Sequence, residues 1–176
     1  MDAHVEKAYE LGFSQAVYLS GLSLECKPEI RAYCNPQDCP NHGQNWVCPP
    51  GCGPLEACAE KAREFSEGIL LQSVSLLDPP VELEHYKALN EEHNLCFKEF
   101  IESVKPGFAK VLPLTSGGCV FCEECCYPDP CIKPEVKMES LSAFGIDVGN
   151  LCELAGLDFS FRADKVFFVA LLLVKP

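Results

Sequence analysis

Basic residues are scarce in this chain. It has 14 Lys and Arg against 26 Asp and Glu, which gives a formal net charge of −12. The few basic residues are scattered along the sequence rather than clustered. Binding to nucleic-acid phosphates needs a concentrated basic surface, so we expect no nucleic-acid partner. An acidic surface of this kind suits docking to a basic protein instead.

Long hydrophobic runs are missing as well. The longest apolar stretch, VFFVALLLV, spans residues 166–174, whereas a helix that crosses a bilayer needs about 20 apolar residues. We therefore expect no membrane partner and interpret the stretch as a buried β-strand. A strand this apolar has to be covered, and the sequence leaves open whether a homodimer contributes to the cover.

The sequence also lacks several functional signatures. The N-terminal segment has no basic region followed by an apolar one, which is the pattern of a secretory signal, so we expect a cytoplasmic protein with reduced thiols. No phosphate loop, dinucleotide fingerprint or Ser–His–Asp order is present. These absences argue against a bound flavin or nicotinamide. They leave open whether the protein is an enzyme.

Cysteine, by contrast, is abundant, with 13 residues in a chain of 176. A chain that is 48% hydrophobic can bury a core and does not need a framework of disulfides. The odd number also leaves one thiol outside any scheme in which all the cysteines are paired. Reduced cysteines that cluster in a sequence typically bind metal. The composition therefore predicts a metalloprotein.

Hydrophobic periodicity predicts helices that alternate with strands. Such a pattern is typical of an α/β fold, and we expect a single domain over residues 1–176 in which helices cover a mixed sheet. Asp78 and Pro79 suit the cap and the first position of the longest helix, and Gly68 suits the end of the helix before it. The predicted helices cover 3–11, 54–68, 79–105 and 147–156, and the predicted strands cover 15–20, 69–77, 108–115 and 166–174.

Two cysteine-rich loops interrupt this pattern, loop one at residues 26–58 and loop two at residues 117–134. Each follows a predicted strand, the first and the third. We therefore expect both loops at the same edge of the sheet, where two metal sites would be neighbours.

Loop two has the sequence GGCVFCEECCYPDPCIKP. Cys119, Cys122 and Cys125 follow one another at two-residue intervals, which is the local arrangement by which ferredoxins hold an iron–sulfur cube. Structural zinc usually takes one Cys-x2-Cys pair from each of two separate segments. Cys131 is the expected fourth ligand, and Cys126 would be a spare. The spacing favours a [4Fe–4S] cluster, with a structural zinc ion as the alternative.

Loop one is less regular. It contains Cys34-x4-Cys39-x8-Cys48, a spacing that is typical of neither zinc fingers nor ferredoxins. Its proline-rich pattern, with Cys39-Pro40, Gly43 and Cys48-Pro49-Pro50, resembles the signature of a family of predicted metal-binding proteins known as domain of unknown function 2284. Loop two matches a later element of the same family, Cys-x2-Cys-x2-Cys-x5-Cys-x2-Pro, which ends here at Pro134.

The resemblance covers roughly residues 30 to 150 and includes a Gly-Ile-Asp-Val run, present here as residues 145–148. Ser142 stands where the family tends to have Glu. The resemblance implies two metal sites and names no reaction. It also implies three ligands at the first site, Cys34, Cys39 and Cys48. The fourth ligand is left open among Cys26, Cys52, Cys58, His42 and no protein ligand at all.

Other candidate residues have structural interpretations. Cysteines on helices usually act as small core residues, and we expect this of Cys58, Cys96 and Cys152. His93 lies on the apolar stripe of the longest helix and is expected to be a core histidine. Trp46, close to Cys48, either shields a cluster from solvent or simply packs.

Three functions are consistent with these features. The first is an iron–sulfur protein with two [4Fe–4S] clusters that transfers electrons to a redox partner protein. The second is an enzyme in which a cluster held by three cysteines keeps one iron open for a small substrate. The third is a protein in which zinc only stabilises the loops.

Overall fold

The computed structural model describes residues 3–77, 82–160 and 162–176. Within these ranges the chain forms one α/β domain with a five-stranded sheet. A 3₁₀ turn at Lys105–Gly107 follows the longest helix. The helices are α1 (Ala3–Glu10), α2 (Pro28–Arg31), α3 (Leu55–Arg63), α4 (Leu83–Val104) and α5 (Val148–Leu154), and the strands are β1 (Gln15–Ser20), β2 (Glu67–Leu76), β3 (Lys110–Thr115), β4 (Glu139–Ser140) and β5 (Lys165–Lys175).

The strand order across the sheet is β1-β2-β5-β3-β4. The pairs β1–β2, β2–β5 and β5–β3 are antiparallel, and β3–β4 is parallel, so the predicted mixed sheet is confirmed. The apolar run 166–174 forms most of β5, the central strand. Its backbone groups pair with β2 on one side and with β3 on the other.

Both faces of the sheet are buried, which explains why β5 is apolar at nearly every position. Ala170, Leu172 and Val174 face a core that includes α1 and α4. Val169, Leu171 and Leu173 face a second core that includes α3 and α5. Helices of the same chain thus cover the apolar side chains on both faces of β5.

Most predicted elements are confirmed, with shifted ends. The strand at 15–20 matches β1, while Gly68 lies inside β2 rather than ending a helix, because α3 ends at Arg63. A Cβ at Gly68 would lie 3.1 Å from a methyl group of Leu171, which fits a close contact within the sheet. Asp78 and Pro79 lie outside the described residues. The short elements α2 and β4 were not predicted.

The loops do not leave the sheet at the same edge, so this expectation was wrong. Since β1 is antiparallel to β2, β2 to β5 and β5 to β3, the strands β1 and β3 run in opposite directions. Their carboxyl ends therefore point to opposite ends of the sheet. Loop one packs against the core with α3 and α5, and the first residues of loop two pack against the core with α1 and α4.

In the part of the chain that the structure describes, no helix combines the length and the apolar character that crossing a bilayer requires.

Candidate metal centres

Loop two begins where β3 ends, and its first residues are fixed by the neighbouring helix. Thr115 donates a hydrogen bond from Oγ1 to Asn94 Oδ1 on α4 at 2.6 Å. Gly117 has φ +131°, and a Cβ there would lie 2.8 Å from Asn90 Nδ2. Only glycine suits both this backbone conformation and this close approach. The glycine therefore lets the chain turn against α4 just before Cys119.

The cysteines of loop two line a single small cavity of about 30 Å³. Phe121 and Val47 contribute apolar walls, and Lys133 and Lys137 contribute positive charge. This cavity brings together all four predicted ligands of loop two as well as the predicted spare. Its thiols are those of Cys119, Cys122, Cys125, Cys126 and Cys131.

Two of these cysteines differ in their surroundings. Burial raises the pKa of the Cys119 thiol, and the nearby charges of Cys122 and Cys131 raise it further. The thiol of Cys126 instead donates a hydrogen bond to the Pro130 carbonyl at 3.2 Å. Because a metal binds the thiolate, metal binding at Cys119 must displace a firmly held proton.

Loop one brings its three predicted ligands close to one another. Burial is the main cause that raises the pKa of Cys34, and a charge on Cys39 adds to it. Burial also raises the pKa of Cys48 to about 11, with further contributions from Cys39 and Cys34. The charges of Cys34, Cys39 and Cys48 thus influence one another.

The two loops meet at Trp46, a residue of loop one that also lines the cavity of loop two. Its indole Nε1 donates a hydrogen bond to the Asp129 carbonyl at 2.7 Å. Its ring contacts Tyr127 edge-on, with 5.1 Å between the ring centroids. Trp46 therefore brings loop one into direct contact with loop two, although the two loops leave from opposite ends of the sheet.

Arg31 is a polar centre that the sequence did not reveal. Its Nη1 donates a hydrogen bond to the sulfur of Cys58 at 3.8 Å, and its Nη2 donates to the Gly53 carbonyl at 2.7 Å. Nη1 also donates to the Ala143 carbonyl. Because its partners are far apart in the sequence, no sequence motif predicts these contacts of Arg31.

Cys58 was predicted to be a simple core residue, and it is indeed fully buried. Interactions with Cys52 and then with Arg31 lower its pKa from 9.0 to about 6 against the opposing effect of burial. Its thiol also donates a hydrogen bond to the Cys52 carbonyl at 3.7 Å. The pKa of Cys52 is raised, first by its hydrogen bond to Cys58. Burial is the main cause that raises the pKa of Cys26, and the charge of Cys58 raises it further. Cys26 therefore lies near the same pair. Two of the candidate fourth ligands, Cys52 and Cys58, are therefore already engaged with each other.

The Gly-Ile-Asp-Val run holds the start of loop one. Gly145 has φ +68°, and its carbonyl accepts a hydrogen bond from the Lys27 amide at 2.7 Å. Asp147 caps α5 by accepting a hydrogen bond from the Asn150 amide at 3.1 Å, and it forms an ion pair with Lys27 at 3.1 Å. Ser142 is exposed. The run is therefore structural, and it anchors the chain beside Cys26.

The cysteine thiols are donor atoms that suit a metal ion, but the structure does not arrange them to coordinate one. Thiolates are the preferred ligands of both iron–sulfur clusters and structural zinc. Within the described ranges, however, no group of three or more His, Cys, Asp or Glu side chains is arranged to hold a metal ion. Binding in either loop must therefore move the thiols into a common coordination shell. Among the predicted ligands the exposed Cys125 is the least constrained by burial.

Comparison with known proteins identifies the family. The model of the family described as "Predicted metal-binding protein (DUF2284)" matches residues 18–174, nearly the whole chain, and the chain belongs to this family. The search of the curated proteins and the search of the solved structures each found no match.

Proposed function

Since the chain belongs to a family of predicted metal-binding proteins, we propose that it is an iron–sulfur protein with two [4Fe–4S] clusters. In this proposal the clusters pass electrons to a partner redox enzyme. The ligands are Cys119, Cys122, Cys125 and Cys131 in loop two, and Cys34, Cys39 and Cys48 in loop one. The need for reduced thiols fits a reducing compartment, which we propose is the cytoplasm.

One observation carries the proposal: the five thiols of loop two line a single cavity. Three of its proposed ligands follow one another at two-residue intervals, as in ferredoxins. A short segment of chain can thus present all its sulfurs to one cluster. When bound, such a cluster supplies a one-electron redox centre.

The surrounding residues suit that role. Phe121 and Val47 exclude water from the cavity, and burial of this kind tunes a cluster's reduction potential. Lys133 and Lys137 offset the negative charge that thiolate ligands accumulate. The contact of Trp46 with Asp129 keeps the two loops adjacent, which suits electron exchange between them.

A structural zinc protein is the second candidate, and the size of the loop-two cavity favours it. A volume of about 30 Å³ is room for roughly one or two water molecules. A single zinc ion fits with small shifts of the thiols, whereas loop two must widen to take a larger cluster.

Metal and acid-labile sulfide content, measured on protein purified without oxygen, separates the two. The proposal predicts brown protein with about eight iron and eight sulfide per chain. The double variants Cys119→Ser/Cys122→Ser and Cys34→Ser/Cys39→Ser should each contain half as much iron and sulfide. Cys96→Ser, a change outside both sites, should remove none.

Two zinc ions per chain without sulfide would overturn the iron–sulfur proposal and support the structural one. A spectrum that changes on addition of cyanide would show an iron open to small ligands, which would indicate an enzyme rather than an electron carrier.

A further inference from the structure

The outer edge of β3 is largely uncovered. β4 pairs only with Leu114 and Thr115, so the described residues place no strand beside the first part of β3, from Lys110 to Pro113. A surface cavity of about 410 Å³ lies along this edge. Its volume falls in the range that holds small-molecule ligands.

The charge of this cavity is unusual for the protein. Four lysines line it against three glutamates, in a chain whose formal net charge is −12. An anion approaching the protein is repelled by most of its surface and finds a local excess of positive charge here. The lysines are Lys61, Lys105, Lys110 and Lys137, and the glutamates are Glu64, Glu135 and Glu139.

Glu139 fixes two of these lysines. It is only 1% exposed, and its Oε1 forms ion pairs with Lys137 Nζ at 3.1 Å and with Lys61 Nζ at 3.5 Å. Its Oε2 is buried and has no hydrogen-bond partner among the described residues. A buried carboxylate in this state is costly for the fold, which points to a role beyond packing. It holds two ammonium groups at the wall, each with donors left over for a ligand.

The remaining wall is apolar. Phe65, Val111, Leu112 and Pro113 line it. Lys110 Nζ lies 5.7 Å from the centre of the Phe65 ring and forms an ion pair with Glu64 at 2.5 Å. The cavity thus combines an apolar surface with several ammonium groups, which is the composition of a site for a molecule with both characters.

We propose that this cavity binds a small organic anion with an apolar body, such as an aryl-substituted carboxylate or phosphate. A peptide strand added to the edge of β3 is the poorer occupant. Pro113 has no N–H to donate, and lysines on an edge oppose strand addition. Lys137 also lines the cavity of loop two, so the ligand would lie beside that loop. The inference holds whichever metal loop two takes.

Fluorescence titration with 1-anilinonaphthalene-8-sulfonate, an aromatic anion, provides the test. The variant Lys105→Gln/Lys110→Gln removes two charges from the cavity without touching the buried Glu139. We expect it to weaken binding about tenfold, as the loss of charge-assisted contacts predicts. Lys7→Gln/Lys87→Gln is the matched control, since it removes two lysines outside the cavity, each paired with a glutamate as Lys110 is. Binding to the control should change less than twofold.

A competition with the unmodified protein gives an independent readout. Phenylacetate should displace the dye, and its displacement should weaken as salt is added. Phenylacetamide, which has nearly the same shape without the charge, should displace it poorly. Equal weakening in the two double variants, or equal displacement by the acid and the amide, would overturn the proposal.

Discussion

Arg31 and Cys58 are in direct contact, with 3.8 Å between Nη1 and the sulfur. They are 27 positions apart in the sequence, and the guanidinium also reaches the carbonyls of Gly53 and Ala143. One side chain therefore links α2, the end of loop one and the segment before α5. It also places a positive charge beside the fully buried sulfur of Cys58.

Replacing Arg31 with Gln should destabilise the fold in a pH-dependent way. The folded pKa of Cys58 is about 6, below its ordinary value of 9.0. Its ionised form therefore adds stability that is present above the unfolded pKa and is lost as the pH falls through about 6. We expect Arg31→Gln to cost about 2–3 kcal/mol at pH 8 and clearly less at pH 5. Urea unfolding at both pH values measures the difference.

The exposed Arg162 offers a matched control, since Arg162→Gln removes the same charge far from these thiols. It should cost less than about 0.5 kcal/mol at either pH. An Arg31→Gln penalty of the same size at pH 5 and pH 8 would show that Cys58 is a neutral thiol and that only the two carbonyls matter.

Gly145→Ala should disrupt the anchor of loop one. Its φ of +68° disfavours other residues, and an added Cβ would lie 2.6 Å from the Lys27 carbonyl oxygen. Gly156 has φ +70° but nothing within 4 Å of the same position. Gly156→Ala should therefore cost about 1–2 kcal/mol through backbone conformation alone, and Gly145→Ala should cost more. Equal losses in chemical denaturation would argue against the steric contact.

His93 should make the protein sensitive to acid. Burial lowers its pKa from 6.5 to about 4, and its Nδ1 is hydrogen-bonded with Ser73 Oγ at 2.8 Å. Since the unfolded state takes up a proton first, stability should fall as the pH drops from 6.5 to 4, by up to about 1.4 kcal/mol per pH unit. His93→Leu should flatten this dependence between pH 6.5 and pH 4.5, and an unchanged slope in urea unfolding would contradict the assignment.

Trp46 should report on metal binding in loop two, although it belongs to loop one. It is the only tryptophan in the chain and contacts Asp129 and Tyr127. We expect its fluorescence to change when metal is removed by a chelator. After Cys34→Ser/Cys39→Ser, which leaves loop two intact, a change should persist. After Cys119→Ser/Cys122→Ser it should be largely lost, and the opposite pattern would place the reporter at loop one.

The fold was predictable where one physical signal dominates. A nine-residue apolar run without alternation is typical of a strand covered on both faces, and β5 is such a strand. Gly68 was misjudged because glycine is typical of helix ends, whereas here it permits a close contact with Leu171 inside the sheet. β4 was missed because a pair of residues that includes the buried Glu139 carries no strand pattern.

The candidate sites were predictable to the extent that their ligands are close in sequence. Regular spacing identified the cysteines of loop two, and the structure places them around one cavity. Arg31 could not be found in this way, because its contacts depend on how α2, α3 and the segment near Ala143 pack together. The cavity lined by four lysines could not be predicted for the same reason. Lys61 and Lys137 are far apart in the sequence, and both form ion pairs with Glu139 in the folded protein.

The contact between Trp46 and loop two has a thermodynamic consequence. If metal binding in loop two favours the conformation in which Asp129 accepts the indole hydrogen bond, it also orders the segment that leads to Cys48. Linkage then requires reciprocity, so each site raises the affinity of the other by the same factor. Metal should therefore bind to the two sites cooperatively, and a mutation that removes one site should weaken metal binding at the other.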